Sequence, residues 1–131
     1  MKKPLIVFVA AFVVVFLDQL LKFFVKDLPF VIRNTGAGFG ILPNQQEILI
    51  WISFIVIGLI FFYYGKIPEK KSVQLSIGLI LGGTIGNLID RVMRNYVIDF
   101  IDLKFWPSFN IADSAITVGA GILIIYLIKN K

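Results

Sequence analysis

The chain contains neither cysteine nor histidine. The first absence excludes disulfides and thiolate nucleophiles; the second excludes a Ser-His-Asp relay, and together they remove the commonest metal ligands. Charge is scarce as well. Only 16% of the 131 residues are charged and eight are acidic, whereas a soluble domain is about a quarter charged. What is abundant is apolar: 58% of the residues are hydrophobic. A chain this short has no interior large enough to hide them, so the composition predicts a membrane protein.

Four apolar blocks, at 4–25, 47–65, 72–92 and 112–128, are each 17 to 22 residues long. That is close to the ~20 residues a helix needs to cross a bilayer, where helices satisfy their own backbone groups. The sequence thus predicts one all-α, polytopic membrane domain over 1–131, with four transmembrane helices. The first block follows Lys2 and Lys3 as a leader would, but "DQLLKFFVKDLPF" offers no small residues for cleavage. It is read as a true span.

Basic residues set the orientation. Lys2, Lys3, Lys66, Lys70, Lys71, Lys129 and Lys131 lie at the two termini and the 2–3 turn. The longer segments 26–46 and 93–111 hold only Lys26, Arg33, Arg94 and Lys104. Both termini are expected to be cytoplasmic, and the net charge of +5 is a topology signal rather than a nucleic-acid one. On this topology every acidic residue except Glu69 falls on the outer side.

The polar residues there form several constellations. Asp18 and Lys22 are spaced as a helical ion pair, either a structural brace or part of the chemistry. "NTGAGFG" (34–40) is either a simple bend or a loop offering Asn34 and the bare backbone around Gly36 to an extended peptide. Gly78, Gly82 and Gly86 make a smooth stripe for close helix packing. Asn87, Asp90 and Arg91 then share one face, as structural support or substrate contacts. "NQQE" (44–47) reads as a capping box that accounts for Glu47, and "NIAD" places Asn110 as the cap of Asp113.

Asp113 has a second reading, because Asp99 and Asp102 lie nearby in sequence. Two aspartates in a partly desolvated site can share one proton, one activating water while the other donates to a carbonyl. That is peptide hydrolysis without histidine, cysteine or metal. The rivals are a small ion-coupled transporter, against which no acid lies near a span's midplane, and a purely structural subunit.

The blocks "DQLLK", "NTGAGFG", "GGTIGNLIDRV", "VIDF" and "FNIAD" occur in order between residues 18 and 113. As a set they resemble the motifs of the lipoprotein signal peptidase (signal peptidase II) family. The resemblance implies a four-span aspartic endopeptidase of the bacterial inner membrane, with a small extracytoplasmic β-cradle. Such an enzyme removes the signal peptide of a prolipoprotein before its diacylglyceryl-modified cysteine. It implies Asp99 and Asp113 as the catalytic pair, which selects Asp99 over Asp102. Asp18, Lys22, Asn34, Asn87, Asp90, Arg91 and Asn110 are carried over as supporting positions, with Asp90 structural.

The expected partners are the lipid-modified substrate and membrane lipids, with no nucleic acid, no metal and no cofactor, the chain acting as a monomer. Asn34 and Arg91 are expected to hold the substrate backbone, and Trp106 to belong to an interfacial aromatic belt. Asp113, in the first turn of its helix, is expected to be the resting carboxylate. The outer segments are short: fifteen residues separate Asp18 from Asn34, and thirteen separate Asp99 from Asp113. "FVIRN" is the best strand candidate, and Gly38 stands where the family commonly has alanine.

Overall fold

The computed structural model describes residues 4–37 and 42–131. Lys2 and Lys3, part of the orientation signal, and Gly38 lie outside the described residues. In chain order the elements are α1 (Leu5–Val25), β1 (Ile32–Asn34), α2 (Gln46–Phe62), a 3-10 turn (Tyr64–Lys66), α3 (Lys71–Arg94), β2 (Val97–Asp99) and α4 (Ile111–Lys129).

The four expected helices are present, and three of them, α1, α3 and α4, are long and apolar enough to cross a membrane. The second is shorter than its apolar block. It ends at Phe62, and Gly65 falls in the 3-10 turn that follows, where a poor helix former is tolerated. Its 17 residues span ~25 Å at 1.5 Å per residue, against ~30 Å of hydrocarbon. Large apolar side chains such as Phe12, Trp51, Phe62 and Ile128 cover the helices' outer surfaces. In water such a surface would aggregate; it suits a multi-pass membrane protein.

The centre of the bundle is α3, which packs most extensively against α1 and α4 and less against α2. The glycine stripe explains the close approach. A Cβ on Gly78 would lie 2.6 Å from the Val7 carbonyl oxygen, and one on Gly82 would lie 2.7 Å from that of Ala11. Only a bare backbone lets α1 settle there. At the other end of α3, Asn95 adopts φ 64°, the left-handed conformation common for asparagine after a helix.

β1 and β2 pair antiparallel, with Ile32, Arg33 and Asn34 opposite Asp99, Ile98 and Val97. An isolated bridge joins Ile101 to Phe109. This small sheet joins the two intervening segments, and "FVIRN" supplies its first strand.

The two capping expectations part company. At α4 the box is complete: Asn110 Oδ1 accepts the Asp113 N–H at 2.9 Å, and Asp113 Oδ2 accepts the Asn110 N–H at 3.3 Å. At α2 it does not form. The cap position is Gln45, with no side-chain bond, because Asn44 sits at φ 60°, outside the extended region that a capping residue occupies.

Candidate active site

Two turns of α1, the C-terminal half of α3, β2 and the start of α4 bring the predicted polar residues together at one end of the bundle. They sort into two chemically different sets.

The first set is held by charge. Lys22 Nζ lies 2.7 Å from Asp18 Oδ2, 3.0 Å from Asp90 Oδ2 and 3.2 Å from Asn87 Oδ1, and Lys22, Asp18 and Asp90 are all fully buried. Asp90 also receives Arg94 Nη1 at 2.9 Å and the Ile98 N–H at 2.9 Å. Asp18 Oδ1 accepts the Ala112 N–H at 2.9 Å, so a carboxylate from α1 satisfies one of the orphan donors at the start of α4. These contacts tie α1, α3, β2 and α4 into one frame. The cost of burying the charges is offset by mutual pairing.

The second set is Asp99 and Asp113, and no cation pairs with either among the described residues. Each of their four oxygens instead meets an amide. Asp99 Oδ1 accepts from Asn110 Nδ2 at 3.0 Å and Oδ2 from Asn34 Nδ2 at 3.1 Å. Asp113 Oδ1 accepts from Asn87 Nδ2 at 2.9 Å, and Oδ2 accepts the Asn110 N–H. The sheet register explains the Asn34 contact: Asn34 faces Val97, so Asp99 is its diagonal neighbour on the same face. Asn110 Nδ2 also approaches Asn87 Oδ1 at 3.0 Å and the Ile98 carbonyl at 3.2 Å, placing it between the two carboxyls.

Asp99 is only 1% exposed. Burial, with the charge of Asp113 nearby, raises its carboxyl to about 7 despite the amide donors and Lys22. Asp102 behaves oppositely. It is exposed and bonds Lys104 through that residue's backbone N–H and side chain, which holds its carboxyl below the usual range. Asp102 takes no part in the cluster.

Asp113 lines a cavity of about 610 Å³ between α2, α3 and α4. Its walls are apolar, with Leu49, Ile52, Val56, Ile80 and Ile116, while Asn87, Arg91 and Asp113 make one polar end. Trp106 also lines it, so it belongs to this cavity as well as to any aromatic belt.

Of the loop, residues 35–37 are described. Gly36 is buried; its N–H donates to Asn34 Oδ1 at 2.8 Å and its carbonyl faces Arg91 Nη2 at 3.5 Å. Asn34 Nδ2 is shared between Asp99 and the Ala37 carbonyl, the latter at 3.1 Å. Its side chain is thus engaged within the fold, in contact with Asp99.

Three polar residues of this region escaped the sequence reading. Gln19 Nε2 bonds Asp90 Oδ1 and the Gly86 carbonyl, both at 3.0 Å. Arg94 completes the Asp90 pairing. Gln46 Nε2 bonds the Thr35 carbonyl. Arg94 was legible as the i+4 partner of Asp90, and Gln19 as an uncharged polar residue inside an apolar helix. Among the described residues there is no cluster of acidic side chains suited to a metal ion.

The chain matches the family model for signal peptidase (SPase) II over residues 10–129. It is 40% identical to a lipoprotein signal peptidase of Halothermothrix orenii, covering 92% of this chain and 94% of the relative. It is 43% identical to that of Caldanaerobacter subterraneus subsp. tengcongensis, covering 84% and 87% respectively. Two solved structures of bacterial membrane enzymes superpose on it with TM-scores of 0.85 and 0.80, at 32% and 31% identity. Each superposition covers 95% of this chain, with 88% and 94% of the solved chains.

Proposed function

The chain belongs to the signal peptidase II family of aspartic peptidases, and we propose that it removes the signal peptide from prolipoproteins on the N-terminal side of a diacylglyceryl-modified cysteine. The observation that carries this reading is the second set of acids. Asp99 and Asp113 are buried or half-buried, held by amides rather than cations, and joined through Asn110 and Asn87 at the polar end of an apolar cavity. The capping box gives Asp113 a structural role of its own, but it does not explain a second buried acid, Asp99, held without a cation where Asp18 and Asp90 share Lys22.

In the proposed mechanism Asp99, with its raised pKa of about 7, carries the shared proton. Asp113 stands at the positive end of α4 and is the base. It takes a proton from a water whose oxygen attacks the scissile carbonyl carbon, while Asp99 gives its proton to the carbonyl oxygen. The tetrahedral intermediate then collapses: the C–N bond breaks, the leaving nitrogen takes the proton held by Asp113, and Asp99 recovers its own. Asn34, Asn87 and Asn110 keep both carboxyls aimed throughout. Gly36 and Arg91 bound the peptide's path, and the Asp18–Lys22–Asp90 cluster holds the frame. The apolar wall of Ile52, Val56, Ile80 and Ile116 suits acyl chains and the apolar part of a signal peptide.

All four helices would span, α2 with its 3-10 extension, leaving both termini cytoplasmic and the site at the extracytoplasmic face of the bacterial inner membrane. The chain would work as a monomer within one membrane domain. The transporter alternative is not favoured, since the charged residues gather at one end and leave the rest of the cavity lined by apolar and hydroxyl side chains. The test is cleavage in detergent of one prolipoprotein with and without its diacylglyceryl group. The lipidated form should be cut and the unmodified form spared; equal rates on both would contradict the substrate assignment.

A further inference from the structure

Gln46 opens α2 and continues, one turn beyond Leu49, the face that lines the cavity: 46, 49, 53 and 56 recur at helical spacing. Arg91 stands in the same relation to α3, ending the stripe of Ile80, Thr84 and Asn87. Both side chains reach the segment 35–37, Gln46 through the Thr35 carbonyl and Arg91 through that of Gly36. They therefore meet at one rim.

Below that rim the cavity's polar valence is largely spent. The hydroxyls of Ser53, Thr84 and Ser114 donate to the carbonyls of Leu49, Ile80 and Asn110 in their own helices. At the rim it is not. Among the described residues, the buried side-chain polar atoms without a hydrogen-bond partner are Gln46 Oε1 and Arg91 Nε. The first can only accept and the second can only donate. The Gln46 amide orientation is fixed chemically, because the Thr35 carbonyl accepts and so must face Nε2. One buried acceptor and one buried donor, on side chains that bond neighbouring carbonyls, complement a peptide backbone, which brings an N–H and a C=O whatever its side chains.

We propose that Gln46 is a substrate-binding residue: its Oε1 accepts a backbone N–H of the extended segment near the cut, while Arg91 Nε donates to a backbone carbonyl. The bond to Thr35 keeps the amide turned for that contact. The proposal rests on the peptidase reading above and adds to it a side chain that recognises peptide backbone, independent of sequence.

The test uses lipidated prolipoprotein peptides in which single backbone N–H groups around the cut are replaced by ester oxygens. On wild type, one replacement should raise KM about tenfold with kcat little changed, the scale of one hydrogen bond. Gln46→Met, which has no such acceptor, should show the raised KM already and gain nothing further from that ester. Gln46→Glu keeps the acceptor and should keep the ester sensitivity. A role confined to the Thr35 bond would be lost equally in both variants. The proposal is overturned if no ester position matters to wild type, whatever the variants' folding, or if Gln46→Met retains wild-type KM and full ester sensitivity. An Asp99→Asn control separates the two levels. Turnover by that variant at wild-type rate would remove the peptidase mechanism, whereas Gln46 indifference in an Asp99-dependent enzyme would remove only this proposal.

Discussion

Asn110 donates its side-chain amide to Asp99 at 3.0 Å and accepts, through the oxygen of the same group, the N–H of Asp113 at 2.9 Å. One side chain thus caps a helix and holds the Asp99 carboxyl, while the backbone N–H of the same residue holds that of Asp113. Replacing it tests whether the two roles are coupled. Asn110→Ala should lose about 0.5–2 kcal/mol of stability, the worth of a cap. It should lower the cleavage rate by a larger factor than that destabilisation explains, since Asp99 also loses a donor. Thermal unfolding and single-turnover cleavage, measured on the same preparation, check both.

The raised carboxyl of Asp99 sets a pH dependence. As the proton donor it must be protonated, so the rate should fall as pH rises through about 7. Stability should follow the same sign. The contribution from this group is fully present below its ordinary value of 3.8 and is lost as pH rises through about 7. A pH–rate profile with no alkaline decline between pH 6 and 8 on an intact protein, on the scale of about one unit either side of that value, would contradict the assignment.

Lys22 serves two fully buried carboxylates, Asp18 and Asp90. Lys22→Met leaves both short of their shared cation and should cost about 3–5 kcal/mol, typical of breaking a buried pair from one side. Asp102→Asn removes only an exposed contact to Lys104 and should change stability by less than about 0.5 kcal/mol. Denaturation in detergent separates the two.

Helix approach can be tested at glycine. A Cβ at Gly82 would come within 2.7 Å of the Ala11 oxygen and Val14 Cβ, whereas one at Gly58 meets nothing within 4 Å. Gly82→Ala should force α1 from α3 and cost about 1–3 kcal/mol. Gly58→Ala should be neutral or stabilising by up to about 1 kcal/mol, from helix propensity. The melting temperature should fall for Gly82→Ala and hold level or rise for Gly58→Ala.

Much of this was legible in the sequence, for physical reasons that differ by element. The helices were written in long apolar runs, and the packing of α3 on α1 in glycines four apart. The cap of α4 was written in "NIAD". The same logic failed at "NQQE", because asparagine suits both a cap and a left-handed turn, and in the turn before α2 Asn44 takes the second. The polar residues could be assigned to one end, yet not sorted: Asp99 and Asp102 look alike in sequence. Only the register of β1 against β2 buries Asp99 beside Asn34 and leaves Asp102 outside. Gln46 was invisible because its partner, Thr35, is brought to it by the fold of a loop rather than by helical spacing.

The central claim is that Asp99 and Asp113 perform the chemistry. It is tested most directly by cleavage of a diacylglyceryl-modified prolipoprotein, comparing wild type with Asp99→Asn, Asp113→Asn and Asp102→Asn, each first shown to be folded. The account predicts loss of turnover at positions 99 and 113, with Asp102→Asn close to wild type. Turnover at the wild-type rate by either Asp99→Asn or Asp113→Asn would contradict it.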